Sequence, residues 1–345
     1  MSDDVICPEC GSSDIAEILW GLPAFSDELE AEIEAGHVFL GGCIVSDFDP
    51  DWRCNACGCE FGRNPEAYAN WKEERKNQLK AVVYGAAVGD ALGVPYEFRE
   101  RDTFECTGMT GGGAHGMPPG TFSDDTSMML ATCDSIRACG GIDVDDMRRR
   151  FKAWLNEGAY TPDGTVFDVG NTTATALRQG HGCDGERSNG NGSLMRIAPL
   201  AFTSATDDQI REVSAITHAH PISQEACVAF VHILRDAVGD SWISFTDRIP
   251  DGKSFAHLKG IEDTPRAEVR SSGYVVDTLG ASLWCALNSW SYEEAVLAAV
   301  NLGGDSDTTA CVTGALAGIE YGFRNIPDEW IETLRGKDVI ESCLF

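Results

Sequence analysis

From about residue 65 onward, apolar residues recur at helical spacing, and the two-residue alternation of a half-buried strand is nearly absent. The stretch 64–93 predicts a helix with a proline near its start and a second half of small residues. The same spacing predicts helices over 126–139, 145–157, 172–179, 207–216, 223–238, 275–289, 292–300 and 308–321. Gly, Asp, Asn and Ser crowd the loops between them. Residues 240–272 carry little pattern and read as a surface excursion, and no internal repeat is present. Before residue 65, Gly, Pro, Asp and Cys dominate. There, 14–20 and 37–40 are candidates for short strands and 27–35 for an acidic helix. The expected organisation is a small module over residues 1–65 and one mainly α-helical domain over residues 66–345.

Charge narrows the function classes. The 345 residues include 55 Asp and Glu against 26 Lys and Arg, a net charge of −29. Proteins that grip phosphate backbones or anionic membranes present basic faces, so direct nucleic-acid binding and membrane association are not expected. No apolar run reaches the ~18 residues of a membrane span. The opening MSDDVICPEC lacks the basic start and apolar run of a signal peptide, so a cytoplasmic protein is expected. Only 7 of the basic residues are Lys, and so acidic a surface suits a salt-rich cytosol that screens its self-repulsion.

In that compartment the 14 cysteines are thiols or metal ligands rather than disulfides. Cys133, Cys227, Cys285 and Cys311 stand singly among apolar residues and read as small buried hydrophobes. Cys7-Pro-Glu-Cys10-Gly and Cys54-Asn-Ala-Cys57-Gly differ: each knuckle turns two thiolates to one side, and two knuckles make a tetrahedral zinc set. The knuckles are separated by 43 residues, more than the ~15–20 of a compact ribbon, but loops lengthen at small entropic cost. One structural Zn²⁺ on Cys7, Cys10, Cys54 and Cys57 is expected, with Cys43 and Cys59 as substitutes; a redox pair or unliganded thiols are the alternatives. Four thiolates leave no open position for catalysis. Residues 1–60 hold 14 acidic residues and one basic one, Arg53, so the module is expected to stabilise the chain or dock a protein partner. It resembles the small zinc-ribbon domains with a CPxCG start found in many prokaryotic proteins.

Two segments concentrate oxygen ligands. Gly120-Thr-Phe-Ser123-Asp124-Asp125-Thr126 and Gly303-Gly304-Asp305-Ser306-Asp307-Thr308-Thr309 each precede an apolar helical run. Helix capping accounts for one such residue per helix. It does not account for Ser-Asp-Asp-Thr and Asp-Ser-Asp-Thr-Thr, because adjacent carboxylates repel unless a cation compensates. Oxygen-only ligands select Mg²⁺, Mn²⁺ or Ca²⁺ over zinc, and four Asp match the charge of two divalent ions. Three further segments belong with them. Glu97 follows the small-residue helix that contains Gly89-Asp90, though alone it reads as a solvated loop acid. Ser188-Asn-Gly190-Asn191-Gly192-Ser193 is a glycine-rich loop whose amides suit phosphate, or a plain turn. Thr217-His218-Ala-His220 places imidazoles at a helix end, where His218 serves as a cap or a ligand contact.

Five segments in order, GAAVGDALGVPYE, GTFSDDTSMML, GNGSLMRIAPL, THAHP and NLGGDSDTTACVTGALAG, resemble the ADP-ribosylglycohydrolase family. That family includes the dinitrogenase reductase-activating glycohydrolases and the ADP-ribosyl-acceptor hydrolases. The resemblance implies an all-α orthogonal bundle with two Mg²⁺ or Mn²⁺ ions on Ser123, Asp124, Asp125, Asp305, Asp307 and Thr308. It implies hydrolysis of the glycosidic bond between ADP-ribose and a protein side chain or small molecule. Glu97 matches the family's mobile glutamate, and Ser188, Gly190, Asn191 and Gly192 match the loop that holds phosphates and ribose. His218 matches a histidine near the distal ADP-ribose. Asp307 or Asp124 would assist proton transfer, with Glu97 near the oxocarbenium charge. Where family members often have Thr, this chain has Ser123, which keeps the hydroxyl. The cysteine module departs from the commonest family architecture. Two other readings share the acidic clusters: a two-metal hydrolase of phosphate esters or nucleotides, and a non-enzymatic ADP-ribose-binding protein.

Overall fold

A computed structural model describes residues 5–8, 10–21, 23, 25–41, 49–62, 65–239 and 245–345. The chain divides into two compact units, Met1–Arg75 and Lys76–Phe345. The division falls inside a helix.

In the first unit, β1 (Ile15–Leu19), β2 (Val38–Leu40), β3 (Trp52–Cys54) and β4 (Glu60–Phe61) form a sheet of order β2-β1-β3-β4. β1 runs parallel to β2 and antiparallel to β3, with Ile15 opposite Cys54, and β3 runs antiparallel to β4. Parallel neighbours need a crossover, which α1 (Asp27–Glu34) supplies after the Ser26 cap. β3 and β4 were not expected; at two or three residues they are too short to show alternation. Cys7, Cys54 and Phe61 form a separate small core. Cys43 lies outside the described residues.

The second unit is helical and begins within α2 (Pro65–Gly93), which is followed by α3 (Asp124–Cys139), α4 (Val144–Glu157), α5 (Asn171–Gln179), α6 (Asp207–Ser214) and α7 (Pro221–Val238). Then come α8 (Phe245–Arg248), α9 (Val275–Leu287), α10 (Tyr292–Val300), α11 (Ser306–Tyr321), α12 (Asp328–Thr333) and α13 (Lys337–Cys343). α3 starts before the expected Thr126, because Ser123 accepts the Asp125 amide as the cap. α12 and α13 were missed: six and seven residues show no secure period. The 245–270 stretch is more than a surface excursion, since Phe255, Leu258, Ile261 and Val269 are buried. Leu258 fills the notch at Gly280, where a Cβ would come within 2.6 Å of its Cδ2; residues 240–244 lie outside the described set. Cys133, Cys227, Cys285 and Cys311 are wholly buried, as expected. Among the described residues, no helix is long and apolar enough to cross a membrane.

α2 and α11 position the site. They cross at near backbone contact: a Cβ at Gly89 would lie 2.6 Å from the Ala310 carbonyl carbon, and one at Gly93 2.5 Å from the Asp307 nitrogen. Only glycine permits this approach. Ser306 Oγ closes the crossing by donating to the Gly93 carbonyl at 3.0 Å.

Candidate active site

Three loops meet above that crossing. At the start of α3, Ser123, Asp124 and Asp125 are buried. Their anchor is Asp90 of α2, whose carboxylate accepts the Ser123 amide at 2.9 and 3.0 Å, the Thr126 amide at 3.1 Å and the Thr126 hydroxyl at 2.6 Å. At the start of α11, Asp307 is wholly buried, and its Oδ1 accepts the Thr308 amide at 2.9 Å. The two acidic segments touch: Thr308 Oγ1 donates to Asp125 Oδ2 at 3.4 Å, and Ser123 Oγ donates to the same oxygen at 3.1 Å. From the glycine-rich loop, Asn191 Nδ2 donates to Asp305 Oδ2 at 3.0 Å and to Thr278 Oγ1 at 2.9 Å.

Carboxylate oxygens from Asp124, Asp125 and Asp168 lie within 4.8 Å of one another. Among the described residues, Asp125 Oδ1, Asp305 Oδ1 and Asp307 Oδ2 are buried without a hydrogen-bond partner. Such orphans are costly unless something else satisfies them. Burial first, and then the neighbouring carboxylates, hold Asp124, Asp125 and Asp307 well above the usual carboxylate range. A donor set made only of oxygens, with unused buried lone pairs and mutual repulsion, fits hard divalent cations.

Glu97 lies beside this cluster. Its Oε2 is 2.5 Å from His115 Nε2, and Asp168 Oδ1 is 3.7 Å from the same nitrogen. Burial, followed by Asp168, Asp305 and Asp90, pushes Glu97 up to about 9. The His115 ring lies 6.2 Å from the Phe98 ring and 5.2 Å from that of Phe167. Phe98 and Asp168 hold φ of 65° and 52°, strained values for residues with side chains. The loop containing Ser188, Gly190, Asn191 and Gly192 is pinned to the entry of α9: the Asn191 amide donates to the Gly273 carbonyl at 3.1 Å, and the Val275 amide donates to the Asn189 carbonyl at 3.1 Å. Ser188 stands at its outer end, its amide on the Gly185 carbonyl. His218 is buried against Gly190 and Gly192.

Asp90, His115 and Asp168 were not singled out from the sequence as site residues. Asp90 carried a signal: an acid flanked by buried Val88, Ala91 and Leu92 on a helix apolar all round needs a partner. His115 and Asp168 lie in loops with no pattern to mark them.

In the first unit, the Sγ atoms of Cys7, Cys10, Cys54 and Cys57 lie within 4.8 Å of one another, with Cys7–Cys57 at 3.5 Å and Cys10–Cys54 at 3.6 Å. Cys59 is not of this group; its thiol is 3.7 Å from the Glu60 carbonyl.

Residues 72–344 match the family model described as ADP-ribosylglycohydrolase. An ADP-ribosylarginine hydrolase Tri1 of Serratia proteamaculans (strain 568) is 33% identical over 283 residues, 76% of each chain. An ADP-ribosyl-[dinitrogen reductase] glycohydrolase of Rhodospirillum rubrum is 31% identical, over 72% of this chain and 87% of its own. A solved structure described as an ADP-ribosylglycohydrolase-related protein complex superimposes with a TM-score of 0.68 at 30% identity, covering 79% of this chain and 96% of that one. The chain belongs to the ADP-ribosylglycohydrolase family, hydrolases that cleave the glycosidic bond between ADP-ribose and an acceptor.

Proposed function

We propose that the helical unit removes ADP-ribose from arginine side chains of proteins, with two Mg²⁺ or Mn²⁺ ions held by Ser123, Asp124, Asp125, Asp305, Asp307 and Thr308. The observation that carries this reading is the set of partnerless buried oxygens on Asp125, Asp305 and Asp307, brought together from segments far apart in the chain. The arginine acceptor rests on relatives from Serratia proteamaculans and Pseudomonas putida (strain GB-1), 33% and 34% identical, both named ADP-ribosylarginine hydrolase.

Bound at such a site, divalent ions polarise ligand oxygens and acidify water. The chain's own groups do the rest. The Asn191 side chain and the amides of the Ser188–Gly190–Gly192 loop hold the phosphates and ribose. Asp307 or Asp124 accepts the proton of the attacking water. With the neighbouring Asp side chains neutralised by cations, Glu97 would ionise, and its carboxylate would then face the positive charge that develops at the anomeric carbon. These closely packed acids titrate jointly.

Hydrolysis of ADP-ribosylated arginine, serine and small-molecule conjugates, with Mg²⁺, Mn²⁺ or chelator, tests the reading. The expected product is free ADP-ribose from the arginine substrate, abolished by chelator. Inorganic phosphate as the product would instead favour the phosphoesterase alternative. Asp305→Ala loses metal affinity and turnover together; full turnover in that variant refutes the two-ion site.

The four-thiol cluster is read as one structural Zn²⁺ site in an N-terminal module of residues 1–65, since a core as small as the Cys7, Cys54 and Phe61 cluster seen among the described residues needs a staple. Elemental analysis should find one zinc per chain, lost in Cys54→Ser. A docking role for this module with a protein partner is part of the same proposal.

A further inference from the structure

His218 follows α6, and its ring turns inward until the residue is 3% exposed. Nε2 has no hydrogen-bond partner among the described residues and lies against the glycine-rich loop. It would be 3.3 Å from a Cβ at Gly192 and 3.5 Å from one at Gly190. Nδ1, on the other side of the ring, is 2.9 Å from Thr217 Oγ1. That hydroxyl oxygen is in turn 2.9 Å from Arg196 Nη1. Arg196 is itself wholly buried, donating also to the carbonyls of Gly192 and Val213 and stacked over the Phe151 ring.

Proton bookkeeping along this chain has one solution. A guanidinium only donates, so Thr217 Oγ1 accepts from Arg196. The Thr217 hydroxyl proton then needs an acceptor of its own, in a place wholly closed to solvent. His218 Nδ1 is the acceptor in reach. The reverse assignment, with Nδ1–H pointing at the hydroxyl, would bury that hydroxyl proton unpaired.

We propose that Arg196 and Thr217 are positioning residues that lock His218 in its Nε2–H tautomer, so that the ring offers the glycine-rich loop a fixed donor for an oxygen of the ADP-ribosyl group. Burial, with Arg196 nearby, lowers the His218 pKa to about 3, which keeps the ring neutral and prevents both nitrogens from donating. The ligand half of this inference rests on the function proposed above; the tautomer half does not.

The test separates the halves. Long-range ¹H–¹⁵N correlation spectra of the full, metal-loaded chain, labelled at histidine, distinguish the two neutral tautomers; the His218 signal is assigned by its loss in His218→Gln. The expected wild-type signal is Nε2–H. Thr217→Val should populate the Nδ1–H form, and Thr217→Ser should restore the wild-type pattern. In calorimetry with ADP-ribose, Thr217→Val should raise Kd about tenfold, roughly the loss of one hydrogen bond, and Thr217→Ser should recover the affinity. A wild-type Nδ1–H signal overturns the relay, and this result needs no variant to fold. A switched tautomer with unchanged Kd overturns the donor role. Wild-type protein that shows Nε2–H yet fails to bind ADP-ribose overturns the proposed function and leaves the relay standing.

Discussion

Asp90→Asn isolates the anchor beneath the first acidic segment. The side chain keeps its shape but has one acceptor oxygen where Asp90 has two. In the wild type, three donors converge on the carboxylate: the Ser123 amide, reaching both oxygens at 2.9 and 3.0 Å, and the Thr126 amide and hydroxyl on Oδ2 at 3.1 and 2.6 Å. If the Asn oxygen takes the Oδ2 place, it keeps both Thr126 donors, while its amide group meets the Ser123 N–H donor to donor. Each remaining bond also loses its ionic strengthening, roughly 1 kcal/mol apiece. The gross loss is about 3 kcal/mol. Removing a buried charge returns part of it, since burial already pushes Asp90 up to about 6. A net loss of about 1–3 kcal/mol corresponds to several degrees in the unfolding transition of a domain this large. Scanning calorimetry in chelator reads that shift without metal masking it. A metal titration should show weaker binding as well, because Ser123 and Asp125 hang from the same anchor. An Asp90→Asn protein with unchanged transition temperature and unchanged metal affinity would show that Asp90 does not hold the site.

Gly89→Ala places a methyl 2.6 Å from the Ala310 carbonyl carbon. Backbone cannot yield as a side chain does, so α2 must move off α11 at about 2–3 kcal/mol; an unfolding midpoint equal to wild type would refute the crossing. His115→Leu removes the imidazole whose Nε2 lies 2.5 Å from Glu97 Oε2, so kcat should fall about tenfold with KM nearly unchanged. That effect should vanish in a Glu97→Gln background, and persistence there would assign His115 a role independent of Glu97. Partial burial works against ionisation of Asp146, but hydrogen bonds from Arg150 and Arg149 hold it down to about 2 from 3.8. A depressed folded-state pKa stabilises above the unfolded value and fades as pH falls through the folded one. Asp146→Asn should therefore be less stable than wild type at neutral pH, and the gap should close as pH falls from 3.8 towards about 2; a constant gap would refute the ion pair as its cause.

How much the sequence disclosed follows from how locally each feature is encoded. Ser123, Asp124 and Asp125 are neighbours in the chain, as are Asp305, Asp307 and Thr308, so their excess of carboxylate over what a helix cap needs is visible in a window of a few residues. The long helices are visible for the same reason: α3, α7, α9 and α11 repeat their pattern over several turns. Features made by tertiary contact were silent. Asp90 matters because Ser123 and Thr126 fold onto it; the apolar residues around it say that it needs a partner, but not which one. His115 and Asp168 become a pair around Glu97 only after two loops close, one of them through an αL Asp at φ 52°.

The glycines show how the two kinds of information join. Gly85, Gly89 and Gly93 recur every four residues and read as a small-residue helix face, which says only that something comes close. The structure supplies the partner: Gly85 faces Gly314, Gly89 faces Ala310 and Gly93 faces Asp307. Each step along α2 thus meets a step of α11, and the last step delivers the Asp307 backbone directly beneath the acidic cluster. Asp307, carried to that place by the close approach of the two helix backbones, is wholly buried, and its Oδ2 has no hydrogen-bond partner among the described residues. A fold without cations carries that cost as unsatisfied polar atoms and mutually raised carboxyls. Cations bound to the folded chain alone would remove both penalties and stabilise it by mass action. On the proposed reading, the helix crossing that makes a cation-free cluster unfavourable is therefore the same feature that favours cation binding there.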